Sequence, residues 1–345
     1  MALIGLTYNT REDMARLLGA ARTSTQDDLE EYDSEETICA LERAIQVAGH
    51  QTVRLGWGVE LLGLLQRGAR PDLVFNIAEG WGGRSREAQV PALLDMLGIP
   101  YTGSDALALA LSLDKTAAKR QVQQEGVRVP KGWLARSMLD VQGSQRYKLG
   151  LDFPLVVKPA YEGSSRGITE KSLVHDDEEL YACVAHVLRE YAQPALIEEY
   201  VWGREVTLAI AGSPAQVLGV MEIRVLCEEN GSAHETTPVL YSLEAKREWQ
   251  KKVIYDAPAK FSHETLSRLH KSAMAAFHAL GCRDIARLDY KIRTSGEPVF
   301  LEINPLPGLN PVSGDVSILM GKLGILYEKL IAMVLQGALA RNGLQ

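Results

Sequence analysis

Two late segments of the chain carry charged residues two positions apart. In "RLDYKI" Arg287 and Asp289 share one face of an extended strand, and in "FLEINP" Glu302 and Asn304 do the same. The intervening "RTSGEP" reads as a turn, so the pair forms a hairpin. Its common face offers two carboxylates, an amide oxygen and a guanidinium. Hard oxygen donors grouped in this way suit Mg²⁺, which keeps several waters and bridges substrate phosphates. A solvated, amphipathic hairpin has the same local look. Leu288, Leu301 and Ile303 on the other face, and the Pro/Gly-rich "NPLPGLNP" that follows, favour a site.

Three lysines could face such a metal from separate segments: Lys115 in "SLDKTAAKR", Lys158 in "VVKPA" and Lys246 in "LEAKREW". An ammonium is a compact charge for phosphate oxygens, although most lysines are simply solvated at the surface. Lys158 differs because it ends the apolar run "FPLVVKP", where a cation needs a reason. Gly163, Ser164, Ser165, Arg166 and Gly167 come next, small donors beside a cation, and they read as a flexible lid over phosphate. The stretch "ALIEEYVWGREVTLAI" adds Glu198, Glu199 and Val201, a Gly203 turn and Glu205. An apolar wall with backbone groups and carboxylates can read an adenine amino group and a ribose diol.

The elements that must hold these residues follow from periodicity. Up to about residue 104, strand-like runs ("ALIGLTY", "HQTVRL", "PDLVFNIA", "IPYTG") alternate with helical patterns at Ser34 to Ala48 and Ala88 to Leu97. That rhythm predicts βαβ units, a parallel sheet and a Rossmann-like layer. Arg22 to Glu31 reads as a polar loop. One helical stretch, "DALALALSLDKTAAKRQVQQEG", follows and ends at Gly126. Beyond it come a strand-rich unit around Lys158, a helix from about Asp176 to Tyr191, three strands, a polar loop, a helix from about His263 to Leu280 and the acidic hairpin.

Bulk properties narrow the function classes. The 345 residues, 46% hydrophobic and 23% charged, suffice for two or three lobes with sizeable cores. A net charge of −7 argues against nucleic acid as the main partner. No run of about 18 apolar residues suggests a membrane span. Cys39, Cys183, Cys227 and Cys282 lack CxxC spacing, so neither zinc nor a disulfide framework is expected, and a reducing cytoplasm fits.

Together the segments resemble the ATP-grasp carboxylate–amine ligases, and within them the D-alanine:D-alanine ligase family. "GIPYTGSDALALALSLDK", "FPLVVKPAYEGSSRGI", "LIEEYVWGREVTLAI", "YSLEAKREW", "ARLDYKI" and "FLEINPLPGL" stand in the family's order and spacing. The resemblance implies an α/β ATP-grasp fold with an N-terminal Rossmann-like domain over residues 1–104, a central lobe over 105–195 and a C-terminal lobe over 196–345. It implies an ATP-dependent ligase that forms a peptide bond through an acyl phosphate, acting on small amino-acid substrates, cytoplasmic and homodimeric. The cofactors implied are ATP and two Mg²⁺ ions, with Mn²⁺ as a substitute. Lys115 and Lys158 match the phosphate lysines, and Gly163, Ser164 and Ser165 the loop over the γ-phosphate. Glu198, Glu199 and Val201 match the adenine-reading segment, Glu205 the ribose carboxylate and Lys246 the lysine of a closing loop. Asp289, Glu302 and Asn304 match the metal ligands. Arg287 and the Gly308 amide match the oxyanion donors, and Ser313 falls where the second substrate's carboxylate binds.

The substrate half departs from the family's pattern. No single residue matches the glutamate that holds the first substrate's ammonium; Glu12, Glu31 and Glu35 are candidates. In "NIAEGWGGRSREAQVP", Glu79, Arg84 and Arg86 replace a histidine-glycine loop; they read either as facing substrate with altered charge or as a solvated loop. Arg247 stands where an aromatic residue or a histidine is common, and an arginine there could bind a carboxylate at two points. Pro305, Pro311 and Gly314 reshape the second-substrate loop. An inactive nucleotide-binding relative with regulatory duties is the competing reading, and it predicts lost ligands, whereas Lys115, Lys158, Asp289, Glu302 and Asn304 are all present. A biotin-dependent carboxylase matches these motifs less well.

Overall fold

A computed structural model describes residues 1–19, 29–141, 145–226 and 238–344. The polar loops expected within 22–31 and after residue 225 fall largely outside these residues, as does Cys227.

The first layer is a parallel sheet of order β2-β1-β3, built from β1 (Leu3–Thr7), β2 (Gln51–Gly56) and β3 (Leu73–Asn76). Its helices are α1 (Arg11–Gly19), α2 (Glu35–Val47), α3 (Gly58–Gln66) and α4 (Gln89–Leu97). Ser34 starts α2 by accepting the Thr37 N–H at 3.4 Å, and Ile38, Leu41 and Ile45, on one face, are fully buried. The expected fourth strand "IPYTG" shrinks to one parallel bridge between Tyr101 and Val74. Pro100 has no N–H to extend the ladder, and Gly103, at φ +84°, turns the chain away.

Two helices replace the single one expected next, α5 (Ala106–Leu113) and α6 (Lys115–Gln124). Asp114 breaks them: it leaves helical geometry at ψ 94°, and its carboxylate accepts from the N–H groups of Thr116 and Ala117. Lys115 thereby becomes the first residue of a new helix.

Four antiparallel strands of order β4-β7-β5-β6 form the second sheet: β4 (Gly132–Ala135), β5 (Leu155–Pro159), β6 (Leu173–Val174) and β7 (Ala195–Glu199). The short α7 (Gln145–Leu149) and α8 (Asp177–Glu190) accompany it, and Val184 and Val187 of α8 share a core with Leu155, Val157 and Ile197. The lobe boundary expected at 195/196 falls at the first residue of β7, yet all of β7 pairs within this sheet. The chain leaves it only after Glu199.

The third sheet is antiparallel, of order β10-β9-β8-β11-β12, with β8 (Arg204–Ala211), β9 (Gln216–Val225), β10 (Val253–Asp256), β11 (Ile285–Ile292) and β12 (Pro298–Asn304). Two short helices, α9 (Leu243–Arg247) and α10 (Trp249–Lys252), precede β10. One face packs on α11 (His263–Ala279) through Leu269, Ala273 and Phe277. On the other side, α12 (Asp315–Lys322) and α13 (Tyr327–Arg341) place Leu319, Leu330, Ile331 and Val334 in a core that also contains Ile4, Leu6, Phe75 and the apolar face of α2. The first layer is thus bound to the chain's last helix by burial, at about 1.5–3 kcal/mol for each large side chain removed from water. No helix among the described residues is long and apolar enough to cross a membrane.

Candidate active site

The second and third sheets face each other across a cleft of about 730 Å³ of atom-free space, part of it open. Its walls include Val156, Lys158, Ser165, Glu198, Glu199, Tyr200, Val201, Glu205, Lys246, Asp289 and Glu302. Residues more than a hundred positions apart therefore converge on one space.

Lys158 reaches it because β5 alternates: Leu155 and Val157 point into the lobe core and Lys158 into the cleft mouth. Its ammonium lies 3.0 Å from Glu198. Glu198 sits on β7, opposite Val156, and its carboxylate also pairs with Lys119. All three are buried, with 7%, 3% and 5% exposure for Lys158, Glu198 and Lys119. Burial opposes charge on Lys158, but Glu198 and Glu302 outweigh it and hold its ammonium above the usual range. For Lys119 burial wins over Glu198, helped by Lys158, and the ammonium falls to about 7. Lys119 lies one helical turn after Lys115 on α6, a spacing visible in the sequence but not singled out there.

Lys115, at the start of α6, has its Nζ 2.7 Å from Glu302, which lines the cleft. β11 and β12 pair in the register that sets Arg287 against Asn304 and Asp289 against Glu302. The register then slips and Leu301 becomes an extra, bulged residue. The bulge corrects one expectation. Leu301 lines the cleft beside Glu302 instead of joining the apolar face, while Phe300 and Ile303 both turn into the core.

Charge balance around the hairpin is tight. Arg287, 7% exposed, lies 2.9 Å from Asp289, 3.6 Å from Glu302 and 3.2 Å from Asp315. Burial opposes its charge, yet the three carboxylates outweigh burial and raise its pKa. Burial would also raise Glu302, but Lys115, Lys158 and Arg287 hold it well below the ordinary carboxylate range. Asp289 goes the other way, pushed up by burial against the pull of Arg287, and accepts a 2.7 Å hydrogen bond from Thr207. Two carboxylates face to face with the Asn304 amide one pair further on make a hard-oxygen donor set. Asn304 Oδ1 already accepts from the Leu306 N–H at 2.9 Å, which orients the amide.

The loop after β5 takes the shape that a small-residue stretch permits. Ser164 and Ser165 sit at φ +48° and +59°, and Gly167 at +76°. Ser165 Oγ donates to the Tyr241 carbonyl at 3.2 Å, and the Leu243 N–H donates to the Ile168 carbonyl at 3.1 Å. The loop is thereby joined to α9, where Lys246 lies 5.0 Å over the Tyr241 ring. Glu205, at the head of β8, pairs with Lys291 at 2.9 Å. Tyr241, Lys291 and Asp315 were all overlooked in the sequence. Lys291 continues the alternation of Arg287 and Asp289 and could have been found.

The substrate-side candidates separate. Glu12 is exposed in the first turn of α1, and Glu35 pairs with Arg54 at 2.5 Å. Glu31 alone of the three meets the loop after β5, accepting from the Gly163 N–H at 2.9 Å while Arg86 binds the same carboxylate at 2.5 Å. Arg86 and Arg84 line a second, polar cleft with Glu31, Tyr161 and Glu162 rather than the first. Glu79, expected to face substrate, is half-buried and lines neither cleft, and burial, then Glu87 and Glu31, push its carboxyl well above the usual range. Arg247, expected to meet a substrate carboxylate, is ion-paired with Glu30 at 2.8 Å. Gly308 and Ser313 are exposed in the loop after β12, which Asn310 folds by accepting the N–H groups of Val312 and Ser313 at 2.9 Å. Gly314 closes it so tightly that a Cβ there would stand 2.7 Å from the Gly308 carbonyl oxygen.

Comparisons with known proteins show the family and the fold. The family model described as D-ala D-ala ligase C-terminus matches residues 131–336. An uncharacterized protein, y4sG, of Sinorhizobium fredii is 36% identical over 302 residues, covering 86% of this chain and 85% of its own. The D-alanine–D-alanine ligase of Geobacter sulfurreducens is 32% identical over 299 residues and is covered, like this chain, to 87%. Among solved structures, the D-alanine–D-alanine ligase of Bacillus anthracis complexed with ATP superposes with a TM-score of 0.74 at 23% identity, over 99% of this chain and 98% of that one.

Proposed function

The chain belongs to the D-alanine–D-alanine ligase family of ATP-grasp proteins, and from that premise we propose that it is an ATP-dependent ligase joining an amino-acid carboxylate to an amine through an acyl phosphate. The observation that carries this reading is the single cleft between two sheets that gathers a strand-end lysine, the Glu198 to Glu205 wall and the Asp289/Glu302 pair.

In this proposal Lys115, Lys158 and Lys246 neutralise phosphate oxygens, and Gly163, Ser164 and Ser165 cover the γ-phosphate. Glu198, Glu199 and Val201 face adenine and Glu205 the ribose. Glu198 also orients Lys158, an assignment supported by their 3.0 Å contact. Asp289, Glu302 and Asn304 are the residues that would hold Mg²⁺, two ions in our reading with Mn²⁺ as a substitute. Bound there, the metal supplies charge neutralisation at the transferring phosphoryl group. Arg287 and the Gly308 N–H face the developing oxyanion, where preorganised donors lower the barrier. Ser313 belongs to the acceptor side, and Glu31, through its bond to the Gly163 N–H and although Arg86 also pairs with it, is the glutamate we carry forward for the donor's ammonium. Arg247 leaves the set because Glu30 holds it. The lobes 1–104, 105–195 and 196–345 remain our division of the chain, the middle boundary moved past Glu199 by β7. A homodimer belongs to the same proposal, and Val59 on α3 and Met96 on α4, both largely exposed, offer apolar surface for it.

The test is ADP and phosphate release from ATP and Mg²⁺ with panels of D- and L-amino acids, each with and without an added amine. Release that requires both partners, with an amide found by mass spectrometry, is the expected result. ATP turnover indifferent to every carboxylate would refute the ligase assignment.

A further inference from the structure

Lys291 has no part in the ligase reading above, yet its side chain lines the same cleft as Lys158, Glu205, Asp289 and Glu302. β11 pairs with β8 in a register that sets Lys291 directly opposite Glu205, and its Nζ lies 2.9 Å from Glu205 Oε2. The lysine is buried. Burial opposes its charge, but Glu205 and then Tyr200 outweigh burial and hold the ammonium above the usual range.

The carboxylates of the wall from Glu198 to Glu205 are not equally open to a ligand. Glu198 has both oxygens taken, one by Lys119 and one by Lys158. Glu199 is held through Oε1 by the Lys131 N–H at 3.1 Å and by Arg293 at 3.4 Å. Glu205 gives Oε2 to Lys291, and no hydrogen bond among the described residues reaches its Oε1. An acceptor oxygen and an ammonium therefore stand side by side in the cleft wall.

Their place along the cleft points to the ligand. Lys291 follows Asp289 on the same face of β11, about 7 Å further along the strand. Its ammonium also stands 5.6 Å from the centre of the Tyr200 ring, between Glu199 and Val201. This inference rests on the ATP-binding half of the ligase reading. With phosphates at the Asp289/Glu302 pair and adenine at the segment around Tyr200, the sugar lies between them, beside Lys291 and Glu205.

We propose that Lys291 determines the sugar specificity of the nucleotide site: it holds Glu205 Oε2 so that Oε1 accepts from one hydroxyl of a vicinal diol, and its ammonium donates to the oxygen of the other. The pair, rather than the carboxylate alone, then selects a ribonucleotide. A cation that served only the fold or only the phosphates would leave the sugar preference unchanged.

ADP and 2′,3′-dideoxyADP test this as a matched pair, because they differ only in the two hydroxyls, and calorimetric titration with Mg²⁺ reads binding without any turnover. A hydrogen bond to a charged group is strong enough that the wild-type protein should bind ADP about tenfold or more tightly than the dideoxy nucleotide. Lys291→Met should weaken ADP and leave 2′,3′-dideoxyADP nearly unchanged, so that the preference falls to about threefold or less. Binding of the dideoxy nucleotide then shows that the variant is folded, and Lys291→Gln serves if the Met variant is insoluble. Equal affinity of the wild-type protein for the two nucleotides, or an unchanged ratio in the variants, overturns the role of Lys291 and leaves the ligase reading to its own test of amide formation. Binding of neither nucleotide by the wild-type protein overturns both.

Discussion

Replacing Glu198 by Gln removes the one negative charge that two buried lysines share. Lys158 and Lys119 remain as neighbours in a site from which water is largely excluded. Lys119 shows what burial does there, since its ammonium titrates near 7 rather than 10.5 even beside the carboxylate. Should Lys158 fall as far once Glu198 is gone, about 1.36 kcal/mol per pH unit gives a cost of about 5 kcal/mol at pH 7. Removing one partner of a buried ion pair typically costs about 3–5 kcal/mol, so the estimate is at the upper end. The sign follows from the direction. A lysine whose folded pKa lies below its unfolded value regains stability as pH rises between the two, so the deficit should shrink to about 1 kcal/mol by pH 10. Urea denaturation of both proteins at pH 7 and pH 10 measures it, because ionisations common to both cancel in the difference. A deficit under about 1 kcal/mol at pH 7, or one as large at pH 10 as at pH 7, would refute the view that Glu198 keeps Lys158 charged. The variant should also raise the KM for ATP, by about tenfold, through misplacement of Lys158.

Two further perturbations probe other parts of the site. Glu302→Gln should lower kcat for ligation by about 10²–10³-fold, the equivalent of several kcal/mol of metal-assisted charge stabilisation, and unchanged turnover would remove Glu302 from the proposed metal site. Glu87 is 6% exposed, and burial pushes its carboxyl up to about 7 against the pull of Arg86. A raised carboxyl contributes stability that is complete below about 4.5 and lost as pH climbs through about 7, on the order of 3 kcal/mol. Glu87→Gln should therefore flatten the stability profile between pH 5 and pH 8 in denaturant titrations, and identical profiles would show that Glu87 does not titrate in this window.

The amino-acid sequence by itself determined the parts of the site that depend on local periodicity. Strand alternation is a property of neighbouring residues, so Arg287 with Asp289, Glu302 with Asn304 and the lysine closing an apolar β5 could be placed before any fold was known. Ser34 as a helix cap is local in the same sense. Tertiary structure alone decided which charges meet. Glu31 is 132 residues from the Gly163 N–H it accepts, and Lys119 is 79 residues from Glu198. Nothing in the sequence separated Glu31 from Glu12 and Glu35, because its contact with Gly163 comes from the packing of the first layer against the loop after β5. The bulge at Leu301 and the break at Asp114 lie between these limits: both are local events, but only pairing with β11 and a cap on α6 make them visible. Asp315 was least legible of all. An acid in the first turn of a helix is ordinary for its effect on the helix dipole, and only the fold brings that turn against the buried Arg287.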